Sequence, residues 1–90
     1  MKLIVKNGRA EMHNDVTGAV ERRFNTFPIN VVDGDYDPGR ELVLLVLSNG
    51  KVELRSNKTS SVQRTFLQGP YDKATFSGGG YITAQSKRPS

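Results

Sequence analysis

The sequence contains no cysteine and no tryptophan, and its 90 residues include a single histidine. The absence of cysteine excludes disulfide bridges, thiolate zinc sites and cysteine nucleophiles, and it is compatible with a reducing, cytoplasmic compartment. The longest apolar run, Leu42–Leu47, falls far short of the roughly 18–20 residues that a membrane helix requires. No Ser/His/Asp set and no pair of carboxylates has the arrangement of a catalytic group. We therefore do not expect an enzyme.

Positively charged residues only slightly outnumber negatively charged ones. Lysine and arginine outnumber aspartate and glutamate by 13 to 9, which gives a formal net charge of +4. The cations are scattered among acids, and only Lys87 and Arg88 form a cluster, which predicts a basic flexible tail over residues 86–90. Scattered cations favour a solvated surface over a nucleic-acid footprint. A small basic all-β nucleic-acid-binding domain remains an alternative interpretation.

What the sequence does contain is an internal repeat. Shifting the chain so that the turn signal Asn7-Gly8 falls on Asn49-Gly50 brings many other residues into register. The identical pairs are Leu3/Leu45, Asn7/Asn49, Gly8/Gly50, Glu11/Glu53, Thr17/Thr59, Val20/Val62, Arg22/Arg64, Phe24/Phe66 and Pro28/Pro70. Agreement over this length predicts a tandem duplication.

Each copy predicts short strands and no helix. Asn-Gly between apolar segments is a strong two-residue hairpin signal, and no segment has a sustained helical period. The run Leu42–Leu47 does not alternate, so it requires apolar cover on both faces, as stacked sheets provide. The fold class is therefore all-β. The predicted strands are Leu3–Val5, Arg9–His13, one ending at Phe24, and Pro28–Val32 in the first copy, and Leu42–Leu47, Lys51–Arg55, one ending at Phe66, and Lys73–Ser77 in the second.

Four short strands in about 40–45 residues match the size of one propeller blade. The segment from Asn7 to Phe24 resembles a WD-type blade, with His13-Asn14 where Trp-Asp would stand and Arg55-Ser56 there in the second copy. The resemblance implies tandem antiparallel four-stranded blades, one over about residues 1–36 and one over about 37–85. Two blades would be a fragment of a β-propeller, would oligomerise into one, or would pack face to face as a sandwich.

Four segments also resemble the propeller of the second BBSome subunit, of the Bardet–Biedl syndrome protein family. They are Asn7–Ala10, Asp15–Val20, Val31–Tyr36 and Ser48–Val52. The resemblance implies a non-enzymatic scaffold in a ciliary trafficking coat, located in the cytoplasm, at the cilium or its base. Its partners would be other protein subunits, or further copies of the chain that complete a propeller, and its contact with membranes would be indirect.

An acidic segment predicts a cation site. Asp33, Asp35, Asp37 and Glu41 place oxygens at positions 1, 3, 5 and 9 of a predicted loop, a spacing that calcium-binding loops use. The segment resembles the FG-GAP blades of integrin-like propellers, although Pro38 stands where those loops have glycine. Calcium is the one cofactor that the sequence suggests, and a solvated turn without metal is the alternative.

Three arginines near the ends of equivalent strands are candidate interaction residues. Arg22 and Arg23 precede Phe24, and Arg64 occupies the equivalent position in the second copy. The mixture of cations and aromatic rings is typical of single-strand nucleic-acid binders. Each phenylalanine, however, occupies the last inward position of its strand, which favours core packing, so we expect the arginines to be exposed protein contacts.

Overall fold

The computed structural model describes residues 1–26, 28–66, 70–77 and 81–86, and these residues form antiparallel β-sheets. The predicted all-β class is confirmed. The described part of the chain contains no helix that is long and apolar enough to cross a membrane. Of the tail predicted at 86–90, residues 87–90 lie outside the described residues. In chain order the described strands are β1 (Lys2–Lys6), β2 (Arg9–His13), β3 (Val20–Phe24), β4 (Val31–Asp37), β5 (Leu42–Leu47), β6 (Val52–Ser56), β7 (Val62–Phe66), β8 (Tyr71–Ser77) and β9 (Tyr81–Ser86).

The strands form three sheets that follow one another along the chain. Sheet 1 has the order β1-β2-β3, sheet 2 the order β4-β5-β6-β7, and sheet 3 pairs β8 with β9. The chain crosses to the next sheet after β3 and again after β7. The fourth strand of the first repeat, β4, therefore lies in sheet 2 and not with β1, β2 and β3.

The prediction for the fourth strand is wrong. Instead of Pro28–Val32, the strand is β4, Val31–Asp37, and its acidic half pairs with the apolar strand β5. Proline has no N–H to donate to a ladder, so Pro28 is poorly suited to such a strand. The pairing with β5 instead satisfies the backbone groups of a segment whose side chains alone indicate a loop.

The two Asn-Gly turns differ. Asn7 and Gly8 both have positive φ, 53° and 77°, and they join the paired residues Lys6 and Arg9 as the predicted two-residue turn. In the second copy, by contrast, Leu47 N donates to Lys51 O (2.9 Å), which leaves a three-residue loop that ends in Gly50 with φ 87°. The prediction of a two-residue turn is therefore confirmed for the first copy only.

The extra loop residue changes which positions of the repeat are equivalent. Lys2 pairs with His13 as Val43 pairs with Arg55, and Leu3 pairs with Met12 as Leu44 pairs with Leu54. Strands β2 and β3 thus correspond to β6 and β7 in the register of the sequence repeat, whereas β1 corresponds to β5 one position out of that register. The structural partner of Leu3 is Leu44, and the sequence identity Leu3/Leu45 does not mark equivalent positions.

Strand β5 is covered on both faces, as its composition predicted. Val43, Leu45 and Leu47 belong to the core between sheets 1 and 2. Leu44 and Val46 belong to the core between sheets 2 and 3. The two phenylalanines predicted to face the core also do so, Phe24 in the first core and Phe66 beside the second. Burial of the non-alternating strand is what joins the three sheets into one stack.

Each crossing to the next sheet is anchored on the preceding Asn-Gly turn. Val31 N donates to Gly8 O (2.8 Å), and Tyr71 N donates to Gly50 O (2.8 Å). The approach is so close that a Cβ on Gly8 would lie 2.6 Å from Asn30 Oδ1, and one on Gly50 would lie 2.6 Å from Pro70 Cβ. Asn30 and Pro70 are therefore equivalent, and β8 begins in sheet 3 as β4 begins in sheet 2.

Candidate interaction surface

The side of sheet 1 that points away from sheet 2, here called the outer face of sheet 1, is the most highly charged sheet face in the described part of the chain. Alternation along β1 sends Leu3 and Val5 toward sheet 2 and leaves the other three residues on the opposite face. In sheet 2 the equivalent residues of β5 are all apolar and buried. The outer face is formed by Lys2, Ile4, Lys6, Arg9, Glu11, His13 and Arg23.

Glu11 lies at the centre of this face and holds two neighbours. His13 Nε2 lies 3.0 Å from Glu11 Oε1, and Arg23 Nε donates to Glu11 Oε2 at 3.2 Å. The hydrogen bond with His13, followed by the hydrogen bond and charge of Arg23, keeps the pKa of Glu11 below its ordinary value. Glu11 is therefore an ionised carboxylate among cations.

Lys2, Lys6 and Arg9 have no such partner, since none of them forms an ion pair with a described residue. A shallow cavity of about 460 Å³, lined by Lys6, Asn7, Arg9 and Glu11, opens beside the first turn. A second cavity of about 230 Å³ shares Arg9 and Glu11 and continues past Arg23 toward Thr26. The two cavities are neighbours that share Arg9 and Glu11, and Lys6 and Arg9 are the lining cations without an ion pair to a described residue.

The equivalent pair in sheet 2, Glu53 and Arg55, is also bound to chain from sheet 1. Arg55 Nη2 donates to Glu53 Oε1 (2.7 Å), as His13 contacts Glu11, but Arg55 also donates to Asn25 O (3.1 Å). The side chain of Arg55 is only 10% exposed. The bond with Asn25 O ties Arg55 to the segment after β3, whereas His13 and Glu11, whose side chains are 17% and 28% exposed, have described hydrogen bonds only within sheet 1 and its loops.

The loops that follow β2 and β6 contain equivalent side-chain hydrogen bonds. Asn14 Oδ1 accepts from the backbone N–H groups two and three residues ahead, and Ser56 Oγ does the same in the second copy. Asn14 and Ser56 occupy the second position of the Trp-Asp pair in a WD-type blade. Neither residue takes part in a described network with a histidine, so both act as local loop caps.

The three predicted interaction arginines have different surroundings. Arg23 is 75% exposed on the outer face of sheet 1, where it binds Glu11. Arg22 is half-buried and donates from Nη2 to Lys58 O (2.6 Å), so it ties sheet 1 to the β6–β7 loop. Arg64 is exposed on β7, with its guanidinium 4.5 Å from the centroid of the Phe66 ring. The structure does not bring the three together.

The four predicted calcium ligands are also separate. Asp33, Asp35 and Asp37 lie within β4 and not in a loop. Asp35 accepts hydrogen bonds from Tyr36 N (2.9 Å) and Phe76 N (2.7 Å), while Asp37 Oδ1 caps the following turn. Glu41 Oε2 lies 3.3 Å from Lys58 Nζ. Among the described residues no three His, Asp or Glu side chains form a group that could hold a metal ion.

A further cleft of about 190 Å³ lies between sheet 1 and the β6–β7 loop. Burial and the nearby carboxylate of Glu41 raise the pKa of Tyr36, whose hydroxyl lies 3.5 Å from Asn57 Nδ2 beside this cleft. Of the charged groups that line the cleft, Arg22 bonds Lys58 O, and Lys58 and Glu41 pair with each other. These contacts join sheets 1 and 2 and give the cleft a structural role.

No protein family and no curated protein matches this chain. The case for a function therefore depends on the residues of the chain itself. The sequence analysis did not predict the outer face of sheet 1 as a site, because Lys2-Leu3-Ile4-Val5-Lys6 has the pattern of an ordinary amphipathic strand. A signal was present: an alignment that places Leu3 on Leu44 also places Lys2 and Lys6 on Val43 and Leu47.

Proposed function

We propose that this chain is a non-enzymatic protein-interaction module of the β-propeller type, built from two blade repeats. The observation that carries the proposal is the repeated crossing contact, in which the strand that starts each new sheet bonds the Asn-Gly turn of the sheet before it. Propeller blades likewise follow one another as stacked four-stranded antiparallel sheets. Sheet 2 has all four strands in the consecutive order of a blade.

The neighbours of sheet 2 correspond to parts of blades. Sheet 1 has no described strand at the position that β4 occupies beside β5, and sheet 3 has no described strand at the positions of β6 and β7. Such edges are sites at which another chain can add a strand. We infer that the module works by contact with other protein subunits, with self-association into a ring as the second possibility.

The outer faces favour different subunits over identical ones. In a ring of copies, the outer face of sheet 1 would pack against the free face of sheet 3 of another copy and would bury Lys2 and Lys6 against Lys73, Thr83 and Gln85, which offer no carboxylate. Burial of unpaired ammonium groups is costly. The sequence resemblance to the BBSome subunit suggests the ciliary coat as the assembly, and we propose this role on that resemblance alone.

Reconstitution tests the proposal directly. The tagged chain would be co-expressed with the other BBSome subunits, and its assembly measured by size-exclusion chromatography with light scattering. The control is an Arg23→Glu/Arg64→Glu variant, since both side chains are exposed. Stable co-elution that the variant weakens is the expected result. A chain that elutes alone at 9.9 kDa would overturn the ciliary role, and a ring of identical copies would replace foreign subunits with self-association.

A further inference from the structure

The unpaired backbone edge of β1 and the charges on the outer face of sheet 1 together form a candidate docking site. We propose that β1 accepts, as an added antiparallel strand, an extended segment of a partner protein with the pattern acidic-x-apolar-x-acidic. The inference deepens the proposed interaction function and rests on it, because it specifies the class of partner. Three observations lead to it.

The first observation is that the backbone edge of β1 is open. Lys6 and Arg9 flank a two-residue turn, so they form a hydrogen-bonded pair, and alternation makes Ile4 and Lys2 bond β2 as well. The N–H and C=O groups of Leu3 and Val5 then point to the other edge. No described residue outside β2 donates to or accepts from the backbone of β1.

The second observation is what occupies this edge in the repeat. In sheet 2 the equivalent strand β5 is paired along its whole length with β4, antiparallel. Leu44 and Val46, the equivalents of Leu3 and Val5, lie opposite Asp35 and Asp33 of that strand. The fold thus already builds a strand at this position once, and a partner segment at β1 would reproduce it.

The third observation is the side chains that the added strand would meet. On the side of β5 that faces sheet 1, Val43, Leu45 and Leu47 lie opposite Tyr36, Gly34 and Val31. The corresponding residues of β1 are Lys2, Ile4 and Lys6. Opposite charges favour cross-strand pairing, so the complementary segment carries acids opposite the two lysines and an apolar residue opposite Ile4.

The same surface is poorly suited to nucleic acid. Glu11 lines both cavities, where its carboxylate would repel phosphates, and Phe24 is only 3% exposed, so it offers no ring for stacking bases. An acidic peptide that runs along β1 avoids Glu11, because β2 lies on the opposite edge of β1. The observations therefore favour a protein segment.

The test uses fluorescence anisotropy with two labelled peptides, Thr-Glu-Thr-Val-Thr-Glu-Thr and the same sequence with both Glu replaced by Lys. The full chain should bind the acidic peptide, and a Lys2→Glu/Lys6→Glu variant should bind it at least about tenfold more weakly, since two favourable cross-strand pairs become unfavourable. The variant should gain affinity for the lysine peptide. Thermal unfolding of the variant checks that loss of binding is not loss of fold.

A third peptide separates strand addition from charge attraction. N-methylation of the residues whose N–H groups would bond Leu3 and Val5 should abolish binding, because it removes the backbone ladder and keeps both charges. Equal binding of the methylated peptide would overturn strand addition. If the full chain binds neither peptide, Lys2 and Lys6 only protect an exposed edge, and the inference is wrong. Reconstitution with other subunits could still succeed in that case, so the two failures are distinguishable.

Discussion

Strands β1 and β5 occupy the same position in two sheets, yet their second faces have opposite character. Leu3 and Val5 of β1 face the core as Leu44 and Val46 of β5 do. On the other face β5 is apolar and fully covered by sheet 1, while β1 presents two lysines around a half-buried isoleucine. The difference shows that composition follows the number of packed faces more closely than it follows ancestry within the repeat.

Sheet 3 shows the same relation between the number of packed faces and composition, on the other side of sheet 2. Ile82 and Ala84 of β9 pack toward sheet 2, whereas Tyr81, Thr83 and Gln85 are exposed. Strand β9 therefore resembles β1 in having one apolar face, and among the described sheets the central one alone has a core on both sides.

The largest effect should come from truncating one side chain at equivalent positions of β5 and β1. Leu45 is fully buried between sheets 1 and 2, so Leu45→Ala should lower the free energy of unfolding by about 2–5 kcal/mol. Its equivalent, Ile4, lies half-buried on an uncovered face, and Ile4→Ala should cost about 1 kcal/mol. Urea unfolding of both variants measures the difference. Equal losses would contradict the assignment of one packed face to β1.

The next effect compares glycines with similar backbone conformations. Gly50 and Gly18 have φ of 87° and 75°, so alanine at either position costs about 1–2 kcal/mol in backbone strain. A Cβ on Gly50 would also collide with Pro70, whereas nothing lies within 4 Å of one on Gly18. Gly50→Ala should therefore be the more destabilising by about 1 kcal/mol or more. A smaller loss for Gly50→Ala than for Gly18→Ala in thermal unfolding would argue against the crossing contact.

Much of this architecture was predictable from sequence, and the exceptions have physical causes. The Leu42–Leu47 run and the Phe24/Phe66 pair specify their own burial, because apolar side chains leave few alternatives. The acidic half of β4 was missed because Asp33, Asp35 and Asp37 indicate a loop by composition, while their backbone pairs with β5. The equivalence of β1 and β5 was displaced by one residue because the second loop includes Ser48 before Asn49-Gly50, and Asn49 does not share the positive φ of Asn7, which the identical Asn-Gly pairs do not reveal.

A smaller effect is expected from the charged pair that each copy places after its Asn-Gly turn. Arg55 is buried and bonds both Glu53 and Asn25 O, so Arg55→Ala should cost about 1–3 kcal/mol, because both bonds are lost and the carboxylate of Glu53 loses its cation. His13, whose side chain is 17% exposed, has no described hydrogen bond to another sheet, and His13→Ala should cost less than about 1 kcal/mol. Urea titration at neutral pH compares the two. A larger loss for His13→Ala would mean that the outer face is covered.

The smallest effect concerns the pH dependence of the Glu11–His13 pair. The pKa of Glu11 is below its ordinary value of 4.5, chiefly through the hydrogen bond with His13 and then through Arg23. A carboxyl whose folded-state pKa is depressed stabilises the fold above its unfolded-state pKa, and this contribution is lost as the pH falls through the folded-state pKa.

Wild type should therefore be slightly more stable than Glu11→Gln near neutral pH, and the difference should shrink as the pH falls below about 4.5. Thermal unfolding over the acidic range, at low salt, measures this difference. About 1 M salt should reduce it, because Arg23 is largely exposed and its charge is screened. A difference that is constant across the acidic range would show that Glu11 contributes through packing and not through its charge.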